Sequence, residues 1–230
     1  MTRRNAFWIG AGATAAALAV GCTTVTAAKN LEEQEAAPPP AQKTEQVTDY
    51  RAAALAVMKA SFEARGQATL DRLEQDEVQV ACSQRDSSPT VPRELAKEME
   101  AAQLAAVKYP ADGKYLGSWE KGEAVAQNGR GMQFSDDPSV PSGGNCYACH
   151  QMAPKEVAFG TIGPSLHLYG KLRGTSEGIL KYTWAKLWNS QAFTACSDMP
   201  RFGHKGILTE EQLKDVMAYL FDPNSPVNQQ

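Results

Sequence analysis

Three residues of this 230-residue chain stand at a spacing that dictates their chemistry: Cys146, Cys149 and His150. Two thiols three positions apart lie about one helical turn from each other, so both can reach the two vinyl groups of one porphyrin and close thioether bonds. The adjacent His150 is then directed at the iron. A Cys-x-x-Cys pair also serves as a redox dithiol, but that use belongs to a βαβ setting, and no such pattern surrounds this one. A structural zinc would need a second Cys or His pair nearby, and the sequence supplies none. The motif therefore predicts one haem c, bound covalently through Cys146 and Cys149, with His150 on the iron.

The other face of the iron needs a donor of its own. Met152, His167, Cys196, Met199, His204 and Met217 all follow the motif. Met152 is too close to His150 to wrap around the ring. Met217 falls on the apolar face of the last predicted helix, where a methionine ordinarily serves packing. Met199-Pro200 follows a helix and opens a Gly-containing loop, as suits a ligand delivered over the ring. Met199 is thus the expected axial partner, with Cys196 and His204 as alternatives. His167 reads as a structural, hydrogen-bonded histidine and His204 as a surface residue near that loop. A His/Met pair favours reduced iron and raises the potential, which suits electron transfer.

The elements that must position these groups read as helical throughout. Leu55, Val57-Met58, Phe62, Leu70 and Leu73 recur at helical spacing, with Gly66 dividing two helices. A polar loop follows, holding Cys82 and ending at Ser87-Ser88-Pro89. Pro92 suits a first helical turn, and Leu95, Met99, Gln103-Leu104 and Val107 continue one face to Tyr109-Pro110. A further helix runs from Trp119 to Gly129, and Trp184 to Trp188 lies on another. The last helix carries the clearest signal. Thr209 and Gln212 form a capping box, Leu213, Val216-Met217 and Leu220 form its buried face, and Pro223 stops it. No strand-like alternation of useful length occurs, so the expected class is all-α.

Residues 1–28 read as an export signal: Arg3-Arg4, an Ala-rich apolar run from Ala6 to Val20, then Thr26-Ala27-Ala28. Cleavage near Ala27 or Ala28 would release a periplasmic protein. Cleavage before Cys22, within a lipoprotein-like Ala19-Val20-Gly21-Cys22, would leave a lipid anchor and the only expected membrane contact. Residues 29–48 form a polar linker around Pro38-Pro39-Pro40, residues 49–114 a helical extension, and residues 115–230 the haem domain. With Cys22 removed or lipidated, Cys82 and Cys196 remain as a pair in an oxidising compartment, where a disulfide is the expected state and two free thiols the alternative. The net charge of −3 argues against nucleic acid as a partner. Between residues 150 and 206, seven Lys and Arg face three Asp and Glu, either a steering surface for an acidic partner or anionic substrate, or ordinary solvated charge.

Two resemblances sharpen this picture. Gly163-Pro164-Ser165-Leu166-His167 resembles the Gly-Pro-x-Leu segment of class I cytochromes c, which implies that the Pro164 carbonyl accepts a hydrogen bond from His150. The stretch from Phe193 to Gly203, together with Gly144–His150 and Tyr219-Leu220, is similar to SoxX, the monohaem subunit of the SoxAX sulfur-oxidation cytochromes. The likeness runs over residues 116–221, about half the chain, and implies a class I cytochrome c domain behind the helical extension. It also implies an electron-transfer subunit of an L-cysteine S-thiosulfotransferase, not catalytic on its own. Its partners would be a SoxA-like cytochrome of one or two haems, a SoxYZ-like carrier cysteine to which thiosulfate is joined, and a downstream electron acceptor. A free-standing shuttle between a dehydrogenase and an oxidase is the alternative.

Overall fold

The computed structural model describes residues 50–83 and 91–230. The export segment, the linker and Cys22 lie outside the described residues. In chain order the α-helices are α1 (Tyr50–Ser61), α2 (Glu77–Ser83), α3 (Arg93–Ala105), α4 (Trp119–Gln127), α5 (Tyr169–Arg173), α6 (Glu177–Trp188) and α7 (Glu210–Phe221). Among the described residues the β pairing is a single bridge between Arg65 and Ala68, closing the turn at Gly66. The fold is all-α, as the sequence predicts.

The close crossing of α4 and α7 frames the haem domain. Thr209 caps α7: its hydroxyl accepts from the Gln212 N–H at 3.2 Å, and the Gln212 side-chain oxygen accepts from the Thr209 N–H at 3.1 Å. Glu210 and Glu211 add negative charge to the first turn, where the helix dipole favours it. Leu213, Val216, Met217 and Leu220 are buried along the inner face. Gly122 lets α4 approach: a Cβ there would lie 2.1 Å from the Asp215 carbonyl oxygen and 2.8 Å from the Tyr219 Cβ. Ser118 starts α4, and its N–H donates to the buried Asp215 carboxylate at 2.8 Å. Trp184, fully buried on α6, meets Tyr115 edge-on at a centroid distance of 5.8 Å and donates its indole N–H to the Lys108 carbonyl.

Three expectations for the extension are corrected. Cys82 sits in the last turn of α2, not in a polar loop, because Asp76 and Gln79 form a capping box that starts a helix upstream of it. Beyond Gly66 the chain forms a 3-10 turn at Leu70–Leu73 before that helix begins, so the expected second helix is split. On α3 the expected face holds only in part: Met99 and Gln103 are half-buried and Val107, just beyond the helix, is buried, but Leu95 and Leu104 are exposed. Glu100 joins Gln103 in turning toward the haem domain, because buried polar groups there require partners. Helical spacing located the helix and part of its docking face.

Candidate haem site

Cys146–Ala148 forms one 3-10 turn, entered through Asn145 in the left-handed region (φ 48°), a conformation asparagine tolerates well. Tyr147 points inward and anchors the motif to the last helix. Its hydroxyl lies 2.7 Å from that of Tyr219 and accepts from the Ala153 N–H at 3.1 Å. Burial, reinforced by Tyr147, pushes the Tyr219 phenol well above its ordinary range. Tyr147 carries no sequence signal of its own, since its position in the motif is free to vary.

His150 is held from one side. Its Nδ1 lies 2.7 Å from the Pro164 carbonyl oxygen, and since a carbonyl only accepts, Nδ1 carries the proton. That tautomer leaves the Nε2 lone pair available to a metal. Gly163 makes the approach possible: a Cβ there would stand 2.2 Å from the imidazole Cε1. The surrounding loop is laced to the motif by Gly160 N–H to Tyr147 O at 2.8 Å, Gly163 N–H to Cys149 O at 2.9 Å and Leu166 N–H to Gln151 O at 2.8 Å.

The other candidate ligands separate clearly. Met152 and Met217 are buried in the core. His167 is half-buried, with Nε2 3.0 Å from the Gln229 carbonyl oxygen. Cys196 is joined to Cys82 in a disulfide with Cα atoms 5.5 Å apart, which withdraws it from metal binding. His204 is exposed and its imidazole is driven below its ordinary pKa, first by desolvation and then by Arg201 and Lys205. Met199 is half-buried against the hydrophobic core, and its carbonyl accepts from the Ser190 hydroxyl at 2.5 Å.

The residues fit a haem. Cys146 and Cys149 are both unbridged, and burial pushes the Cys146 thiol up to about 12. Such a thiol is a poor dithiol nucleophile, whereas a thioether sulfur carries no charge to desolvate. Among the described residues, no three His, Cys, Asp or Glu side chains converge to hold a bare metal ion. Cys146, Leu166, Phe193 and Met199 pack on the core while remaining partly uncovered, offering apolar surface to a porphyrin.

The basic stretch from 150 to 206 is largely answered in place. Lys155 pairs with Glu123 at 2.9 Å and Lys181 with Glu177 at 2.7 Å. Arg201 and Lys205 share Asp76 at 2.7 and 3.3 Å, and Lys186 donates to the Ser190 carbonyl at 3.1 Å. Four of the seven cations in the stretch thus face carboxylates, two of them sharing Asp76.

An all-α domain framed by crossed terminal helices, with a Cys-x-x-Cys-His turn whose histidine is fixed by a Gly-Pro carbonyl, defines a cytochrome c. Residues 119–222 match the family model described as Cytochrome c, so this domain carries covalently bound haem c. The chain belongs to one family with an uncharacterized lipoprotein of Aquifex aeolicus (strain VF5). The two are 40% identical over 162 residues, covering 67% of this chain and 73% of that protein.

Proposed function

We propose that this chain is the electron-transfer subunit of a SoxAX-type complex, with haem held through Cys146 and Cys149 and the iron between His150 and Met199. The observation that carries the electron-transfer reading is the His150–Pro164 hydrogen bond at 2.7 Å, which presents Nε2 to the iron in one fixed orientation. With Cys196 in a disulfide and His167 engaged elsewhere, Met199 is the donor best suited to the second position. The group supplies one reversible electron when bound. The chain's own residues orient His150, present Met199 and surround both with apolar side chains. An iron held by both His150 and Met199 would leave no position for substrate, so in this proposal thiosulfate chemistry is assigned to a partner.

The SoxX-like run from Phe193 to Gly203 supports the finer assignment. The Aquifex relative is described as a lipoprotein, which supports cleavage before Cys22 and a lipid on that thiol, tethering the protein at the periplasmic side of the envelope. The mass of the mature N-terminal peptide checks this: a diacylated Cys22 is expected, and a peptide starting after Ala27 or Ala28 overturns it.

The ligand assignment is tested by the weak near-infrared band of Met–Fe(III) coordination. It is expected in the oxidised protein and absent from Met199→Ala, and its survival in that variant would exclude Met199. The subunit assignment is tested by mixing thiosulfate, a carrier protein and an electron acceptor with this chain, with and without a SoxA-like partner. Conjugation is expected only with the partner. Turnover by this chain alone refutes the assignment, and failure to associate with the partner favours a free shuttle.

A further inference from the structure

The stretch from Asn189 to Lys205, which carries Met199, is tied to the N-terminal extension at several points. The Ala195 N–H donates to Glu100 at 3.0 Å, and the Asn189 side-chain amide donates to Gln103 at 2.8 Å. Two further ties come from one short helix, α2. Its capping residue, Asp76, receives the Arg201 guanidinium at 2.7 Å, and its last turn holds Cys82, bonded to Cys196. Asp76 and Cys82 are six residues apart, which spans about 9 Å of helix axis. Their two partners flank Met199, Cys196 three residues before it and Arg201 two residues after.

We propose that α2 is a splint across the Met199 loop, and that Asp76, acting through Arg201, is a positioning residue for the axial methionine. This rests on the assignment of Met199 as iron ligand. Three features make α2 rigid enough for the role. Val78 buries it in the core, at 3% exposure. Asp76 caps it by accepting from the Gln79 N–H at 3.0 Å, and Gln79 reciprocates by accepting from the Asp76 N–H at 3.0 Å. The disulfide fixes its far end.

The ion pair is asymmetric in a telling way. Arg201 is only 7% exposed, and its Nη1 has no hydrogen-bond partner. Asp76 is therefore the charge that compensates a buried guanidinium. Breaking a buried pair by removing one partner leaves the other charge uncompensated in a poor solvent. The relief available to Arg201 is to swing toward water, which would carry Pro200 and Met199 with it. Sequence reading could not find this, because Asp76 and Arg201 are 125 residues apart.

The test uses the full-length oxidised holoprotein and reads the rate at which added imidazole displaces methionine, followed by loss of the near-infrared band. Displacement by an external ligand waits on loop opening, so the rate reports how firmly the loop is held. Asp76→Asn retains a capping side chain but drops the charge, and imidazole should enter about tenfold faster. Asp76→Glu, which keeps the charge, should restore most of the slow rate. Glu74→Gln removes an equal charge from the exposed pair with Lys59 and should change nothing. Cys82→Ser with Cys196→Ser cuts the other tie and should also speed entry, and it carries the test should Asp76→Asn fail to accumulate. Wild-type rates in both Asp76→Asn and the double serine variant overturn the splint while leaving the Met199 assignment intact. Absence of the near-infrared band from the wild type overturns both.

Discussion

A histidine beside Cys-x-x-Cys is only as good an iron ligand as its second nitrogen allows. Here the Pro164 carbonyl fixes the proton on Nδ1, and Gly163 supplies the gap that lets the carbonyl reach it. Gly163→Ala should force the two apart, since its Cβ would overlap the imidazole. The expected loss is about 1–3 kcal/mol of holoprotein stability, typical of overpacking, read from the denaturant midpoint. The hydrogen bond weakens at the same time, so the reduction potential should shift as well; unchanged stability and potential would show that the loop absorbs the methyl group. This pairing was legible in the sequence through the resemblance of Gly163–His167 to the Gly-Pro-x-Leu segment of class I cytochromes c, which implies Pro164 as the acceptor. Tyr147 was not legible. Its hydroxyl contact with Tyr219 depends on how the motif meets the last helix, and nothing local encodes that.

At the level of elements, the difference between α7 and α3 shows what a pattern can and cannot specify. α7 has a cap, an apolar stripe and a terminating proline that all agree, and it folds as they specify. Thr209→Ala should therefore cost about 1 kcal/mol, the ordinary value for a lost cap, with no change in the haem spectrum. A spectral change would mean that the first turn of α7 reaches the haem. α3 turns Met99 and Gln103 of its expected face inward together with Glu100, and leaves Leu95 and Leu104 in solvent. The reason lies on the other surface: the chain from Asn189 to Ala195 presents unpaired donors, and two acceptors on α3 satisfy them. A tertiary demand of that kind is invisible to periodicity. The same holds for Asp76, whose role as a helix cap is local but whose partner Arg201 is not.

Taken as a whole molecule, the extension cannot stand alone. Among its described helices, α1 and α3 bury no residue fully and α2 buries only Val78. A segment with so little apolar burial does not repay the entropy of ordering its backbone. Its order comes from its attachments, which include the disulfide, the Asp76 ion pairs, the polar contacts of α3 and the bonds of Gln67 and Arg72 to the Asp136 and Met132 carbonyls. The Asp76 attachment also has a pH signature. Desolvation pushes its carboxyl up, but the Gln79 N–H, the Arg201 guanidinium and the Lys205 ammonium outweigh this and hold it below its ordinary value of 3.8. Its contribution is thus fully present above that value and fades as pH falls through the lower folded one. Removing the disulfide should have the larger effect. Its partners are 114 residues apart, and closing a loop of that length constrains the unfolded chain by at most about 4–5 kcal/mol. Hydrogen exchange on the Cys82→Ser, Cys196→Ser protein should show α1 and α2 losing protection while α4 and α7 keep theirs. With the disulfide intact, lowering the pH past the Asp76 transition should loosen α2 first at its capped end. Uniform protection across both regions in the double serine variant would mean that the extension is held by packing alone, and the attachments would then be consequences of the fold and not its cause.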